Sequence, residues 1–136
     1  MTAADTPAPE TGTGAPVRLI TMTRRADFLR AAKARRQATP GFLLQARARG
    51  PGEGPENAAR VGFTCSKKLG NAVARNRAKR RLREVARLVL PGLARPGWDY
   101  VLVGRPGATA THDFARMQAD LASALRQVHR SRGAGA

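Results

Sequence analysis

Between Asn71 and Leu90 the apolar residues keep the period of an α-helix. Ala78, Leu82, Val85, Ala86 and Val89 recur at i, i+4, i+7, i+8 and i+11. A stripe of that kind is buried against another layer, so this helix sets the frame for the rest of the chain. Pro91-Gly92 supplies its stop.

The other faces of the same helix are unusually basic. Nine bases lie between Lys67 and Arg87, opposed there by Glu84 alone. At 100° per residue, Arg75, Lys79, Arg83, Arg87, Arg80 and the amide of Asn76 fall in a sector about 140° wide, read as roughly opposite the stripe. Arg77 and Arg81 flank the stripe from the other side. Like charges at i,i+4 each cost an isolated helix a few tenths of a kcal/mol. A helix that needed only solubility would mix in glutamates. The whole chain repeats the bias, with 25 Lys plus Arg against 9 Asp plus Glu and a net charge of +16 over 136 residues. A domain so charged calls for a polyanion. Arginine in particular binds phosphate oxygens in pairs and stacks on bases.

Around this helix the chain reads as one domain, residues 17–130, between a disordered tail over 1–16 and a flexible tail over 131–136. Val17 to Met22 is a short extended lead-in. Thr23 caps a helix running to about Arg36, with Asp27 in its first turn and Phe28, Leu29 and Ala32 on one face. Phe42 to Arg49 alternates, as does Ala59 to Ser66, and the turn-rich loop between them suggests an antiparallel hairpin. Trp98 to Gly104 has the composition of a central strand. A last helix covers about Thr111 to Arg130 on the stripe Phe114, Met117, Leu121, Leu125 and Val128. The expected fold is α+β, three helices packed on a small, mostly antiparallel sheet.

Ser66 to Glu84 reads SKKLGNAVARNRAKRRLRE. This stretch, a strand end with paired lysines leading into an Arg-Asn-Arg helix, resembles the signature of the bacterial ribonuclease P protein subunits. Element order agrees from about Arg18 to Arg130. The resemblance implies a fold like the second domain of a ribosomal small-subunit protein, with a left-handed βαβ crossover. It implies that Arg75, Asn76, Arg77, Lys79, Arg80 and Arg83 face a catalytic RNA subunit, and the basic run itself adds Lys67, Lys68 and Arg87 to the expected RNA-binding set. It further implies a cleft between the first helix and the sheet that takes the 5′ leader of precursor tRNA. Phe28 matches the first of two aromatic residues lining that cleft. The second position holds Ala32, whose methyl offers a base no platform. Mg²⁺ would be held mainly by the RNA.

The residues themselves offer no catalytic constellation. The acids are dispersed, and no Ser/His/Asp set, HExxH or phosphate-cradling glycine loop is present. His112, His129 and Cys65 lack the spacing of a metal site, so neither catalytic nor metal residues are assigned. Cys65 reads as an inert buried thiol and both histidines as surface residues. One cysteine and no apolar run near 20 residues fit a cytoplasmic protein without a membrane span. A general or ribosomal RNA-binding protein is the alternative. Duplex DNA is disfavoured because a strand and a lysine pair precede the helix, not the short turn of a helix-turn-helix.

Overall fold

The computed structural model describes residues 16–135, with side chains described up to Arg130. The expected tail over 1–16 therefore lies outside the described residues except for Pro16. The side chains of 131–136 do as well, although the helical backbone runs to Gly135. In order, the elements are β1 (Arg18–Thr21), α1 (Arg25–Ala32), β2 (Arg35–Ala38), β3 (Phe42–Ala48), β4 (Ala58–Thr64), a single 3₁₀ turn (Lys67–Leu69), α2 (Ala72–Leu93), β5 (Trp98–Gly104) and α3 (Phe114–Gly135).

The strands form one sheet in the order β1-β4-β5-β3-β2. β1, β4 and β5 run parallel, and β3 and β2 continue antiparallel from β5. The sheet is thus evenly mixed, not mostly antiparallel. The expected hairpin is also corrected, because β5 lies between β3 and β4 and pairs with both. Alternation fixes which face a strand buries, and it is silent on which strand lies beside it. The apolar β5 takes the centre because both of its faces are covered. Arg49 ties the long β3–β4 loop down, its guanidinium donating to the Trp98 and Ala58 carbonyls at 2.9 and 2.7 Å. β4, α2 and β5 make a parallel crossover, as the family resemblance requires.

β2 corrects a second expectation. The first helix stops at Ala32 instead of Arg36, and Arg35–Ala38 pairs along β3. Thr39 closes the turn, its hydroxyl donating to the Phe42 carbonyl at 2.7 Å. An edge strand reading RRQA carries no β-branched or apolar alternation, so backbone pairing alone defines it. At its other end α2 runs through Pro91 to Leu93. A proline this near a helix end displaces few hydrogen bonds, and its carbonyl accepts the Val17 amide at 2.7 Å.

Two helices cover one face of the sheet and one covers the other. Phe42, Leu44, Ala46, Val61, Tyr100 and Leu102 meet Leu82, Val85, Ala86 and Leu90 of α2 and Met117, Leu121 and Leu125 of α3 in the main core. Each fully buried large side chain there contributes about 1.5–3 kcal/mol. α1 sits on the opposite face over a smaller cluster of Met22, Ala31 and Val101, joined by Phe28 and Val103. An ion network anchors it. Asp99, fully buried, accepts from Arg60 twice at 2.8 Å and from Arg49 at 2.6 Å. Arg60 reaches on to Asp27 of α1 at 3.2 Å, and Arg30 closes on Asp27 at 2.8 Å.

His129 is buried, not a surface residue. Its Nε2 lies 2.9 Å from the Tyr100 hydroxyl, which accepts the Arg95 amide, and its ring meets Trp98 edge-on at 4.4 Å. His112 is half-buried, 3.5 Å from Asp120. Burial first, then the Arg95 and Arg35 charges, holds His129 down at a pKa of about 4. The unfolded chain therefore binds this proton near pH 6.5 and the folded chain does not. Stability is full above pH 6.5 and declines as pH falls toward 4. Urea titrations should show that decline between pH 6.5 and 5, a window above the range where Glu53 and Glu84 titrate. In His129→Gln the slope in this window should flatten; an unchanged slope would assign it elsewhere.

Candidate nucleic-acid interface

α2 begins with Asn71, whose side chain accepts the Ala74 amide at 2.9 Å, and Ser66 caps the preceding turn by accepting the Lys68 amide at 3.3 Å. Those two caps set Lys67 and Lys68, both exposed, beside the first turn of the basic helix. The helix then presents Asn76, Arg77, Arg80, Arg83 and Arg87 exposed and Arg75 and Lys79 half-buried. The basic sector is therefore not opposite the buried stripe. It starts at the stripe's edge with Arg75 and Lys79, near Cys65 of the β4 end, and runs outward to Arg80.

Local partners sort these bases. Arg83 lies 5.7 Å over the Phe63 ring, within cation–π range, and stays exposed. Arg87 forms an ion pair with Glu84, which holds that carboxyl below its usual range. Arg77 and Arg80 make no hydrogen bond or ion pair with another described residue. Arg81, left out of the expected set, is committed to structure. It donates to the Thr109 carbonyl at 3.0 Å and to the His112 carbonyl, and stands 5.5 Å over Phe114. Cys65 is half-buried, and desolvation pushes its thiol up against the opposing charges of Lys79 and Arg75, as an unreactive thiol requires.

The second candidate surface lies across the sheet. Phe28 of α1 rests on Gly62 so closely that a Cβ there would stand 2.4 Å from the ring. Only glycine admits the aromatic at this distance. Phe28 remains half-buried, which leaves part of the ring open to a ligand. Ala32, one turn on, is exposed. Leu43 pairs with Val103 and Gln45 with the buried Val101, so the half-buried Leu43, Gln45 and Val103 share the α1 face of the sheet. Arg47 on that face is bound by Glu53 at 2.8 and 3.1 Å, and this pairing brings Glu53 down to about 2. Alternation groups Gln45 with Arg47, but nothing in the sequence places them under α1. The basic face of α2 and the α1 cleft are thus on opposite sides of the sheet.

The acids do not gather. Asp27, Glu53, Glu84 and Asp99 are held by arginines, and Asp120 lies beside His112. Among the described residues no group of three or more His, Cys, Asp or Glu converges on one point, so these side chains do not fit a Mg²⁺ site. No helix among them is long and apolar enough to cross a membrane.

Comparison with known proteins gives a consistent result. The ribonuclease P family profile matches residues 18–129. The chain is 61% identical over 108 residues to a protein named ribonuclease P protein component from Ruegeria pomeroyi, covering 79% of this chain and 85% of that one. It is 47% identical over 115 residues to a like-named protein of Paramagnetospirillum magneticum, covering 82% and 84%. Among solved structures, the RNase P protein from Thermotoga maritima superimposes with a TM-score of 0.63 at 25% identity, covering 79% of this chain and 96% of that one.

Proposed function

The chain belongs to the ribonuclease P protein family, and from that premise we propose how its surfaces divide the work. It is a protein subunit of ribonuclease P and acts in tRNA processing with an RNA subunit. The basic face of α2, from Lys67 to Arg87, docks on that RNA. The observation that carries this assignment is the exposed Arg77 and Arg80, without a partner among the described residues, on a helix whose one nearby acid, Glu84, is taken by Arg87. Each such arginine replaces a condensed counterion on phosphate.

The α1 cleft takes the single-stranded 5′ leader of precursor tRNA, with Phe28 offering a base the open part of its ring. Hydrolysis belongs to the RNA, where bound Mg²⁺ would activate water and stabilise the leaving oxygen. This chain contributes neutralised phosphate and a held leader, which lower the Mg²⁺ needed for a folded, active particle. Both surfaces lie within residues 17–130, and the protein works in the cytoplasm.

Replacing Phe28 with alanine tests the cleft. In the assembled particle, affinity for precursor with a long leader should fall by about 1–3 kcal/mol, the worth of one stacked base. Affinity for mature tRNA should hardly change. Because Phe28 also packs on Val101 and Met22, the variant will lose some stability, so the leader-specific difference is the informative quantity. Equal losses for both ligands would make Phe28 a packing residue alone.

A further inference from the structure

A cavity of about 120 Å³ opens where the carboxyl ends of the parallel strands β4 and β5 meet the start of α2. Crevices at that position in parallel sheets are common ligand sites. Its inner wall is apolar, made by the fully buried Ala78 with the half-buried Leu69, Ala74 and Ala110. Two exposed arginines, Arg77 and Arg105, line it as well, and no carboxylate does. Arg105 is held in place, its Nη1 donating to the Thr39 carbonyl at 2.6 Å. Arg77 has no partner among the described residues. The volume is small for a metabolite, since ligand pockets usually run from about 300 Å³ upward. It approaches the roughly 150 Å³ at which an apolar cavity accepts one aromatic ring.

We propose that this cavity seats a single unstacked nucleotide of the RNA subunit, its base against the apolar wall and its phosphate between Arg77 and Arg105. The assignment rests on the reading of α2 as the RNA-docking face, with which the cavity shares Arg77. It lies on the α2 side of the sheet, away from the α1 cleft, so the RNA subunit and not the leader is the occupant. The absence of lining carboxylates suits an anion. An open apolar wall that takes part of a ring adds selection for an unpaired base, which a plain basic surface lacks. The β5–α3 loop, with Arg105 and Ala110, thereby becomes part of the RNA-binding surface.

Two experiments on the full chain with its cognate ribonuclease P RNA test this. Ala110→Trp fills the cavity without altering charge. Once its fold is verified by circular dichroism, its Kd for the RNA should rise about tenfold, the scale of one base left unseated, with a salt slope shallower by no more than about 0.7–0.9, the share of the one phosphate. Separately, a photoreactive benzoylphenylalanine placed at position 111, an exposed residue lining the cavity's mouth, should leave the cavity open and cross-link to one unpaired nucleotide of the RNA subunit. If Ala110→Trp misfolds, the cross-link alone decides. Wild-type Kd in Ala110→Trp, or a diffuse or absent cross-link in a chain that still binds RNA tightly, would overturn the nucleotide site and leave the docking face intact. Loss of RNA binding by the unmodified chain would overturn the docking face itself, and this inference with it.

Discussion

Replacing Asp99 with alanine will lower the thermal midpoint by more than about 10 °C. Asp99 is fully buried and is shared by Arg49, whose side chain is 2% exposed, and Arg60, 17% exposed. Removing one partner of a buried pair costs about 3–5 kcal/mol, because the charge left behind has neither water nor a counterion. For a domain of this size each kcal/mol moves the midpoint by roughly 3–5 °C. Asp99→Asn should lose nearly as much, since an amide cannot accept from two guanidinium groups as a carboxylate does. The effect would reach function through Arg60, which also holds Asp27 and with it α1 over the cleft proposed for the leader. A midpoint within about 2 °C of wild type, by calorimetry, would mean that the arginines turn to solvent at little cost.

The double replacement Arg80→Glu with Arg83→Glu should weaken assembly with the RNA subunit by several kcal/mol and leave the fold standing. Arg80 has no partner to lose among the described residues, and Arg83 gives up only its place over Phe63, worth about 0.5–1 kcal/mol at an exposed site. Two attractions to phosphate would vanish and two repulsions would replace them. The plot of log affinity against log salt should become shallower by about 0.7–0.9 for each phosphate no longer neutralised. Filter binding across a salt series measures both. Unchanged affinity with an unchanged slope would reduce this face to solvated surface.

The readable and unreadable parts of this chain divide along physical lines. The stripe of α2, its start near Asn71 and the core strand β5 follow from period and composition, because burial on one face leaves its mark on the residues that do it. The place of β5 between β3 and β4 leaves no such mark, since a strand's alternation is the same whichever neighbour it pairs with. β2 is hidden for another reason: its residues are basic, and its order comes from β3's backbone. The basic sector borders the stripe on the helical wheel itself: at 100° per residue Arg75 falls between Leu82 and Ala86, and Lys79 lies just beyond Ala86, so these long side chains run alongside the core. His129 reads as a surface residue because a lone histidine near a helix end carries no sign of the tyrosine that meets it from β5. Phe28 is legible through family resemblance. Its seat on Gly62, far along the chain, appears only in the fold.

The central claim is that this chain binds and its RNA partner reacts. Purified protein, treated with nuclease to remove bound RNA and then freed of that nuclease, should cleave no precursor tRNA at any Mg²⁺ concentration. A cognate ribonuclease P RNA alone should cleave slowly at high Mg²⁺. Adding the protein should restore efficient 5′ processing at low Mg²⁺, chiefly through kcat/KM, as befits a subunit that contributes binding. Cutting by the RNA-free protein, abolished by changing a single acid to its amide, would place an active site in the protein and contradict the account.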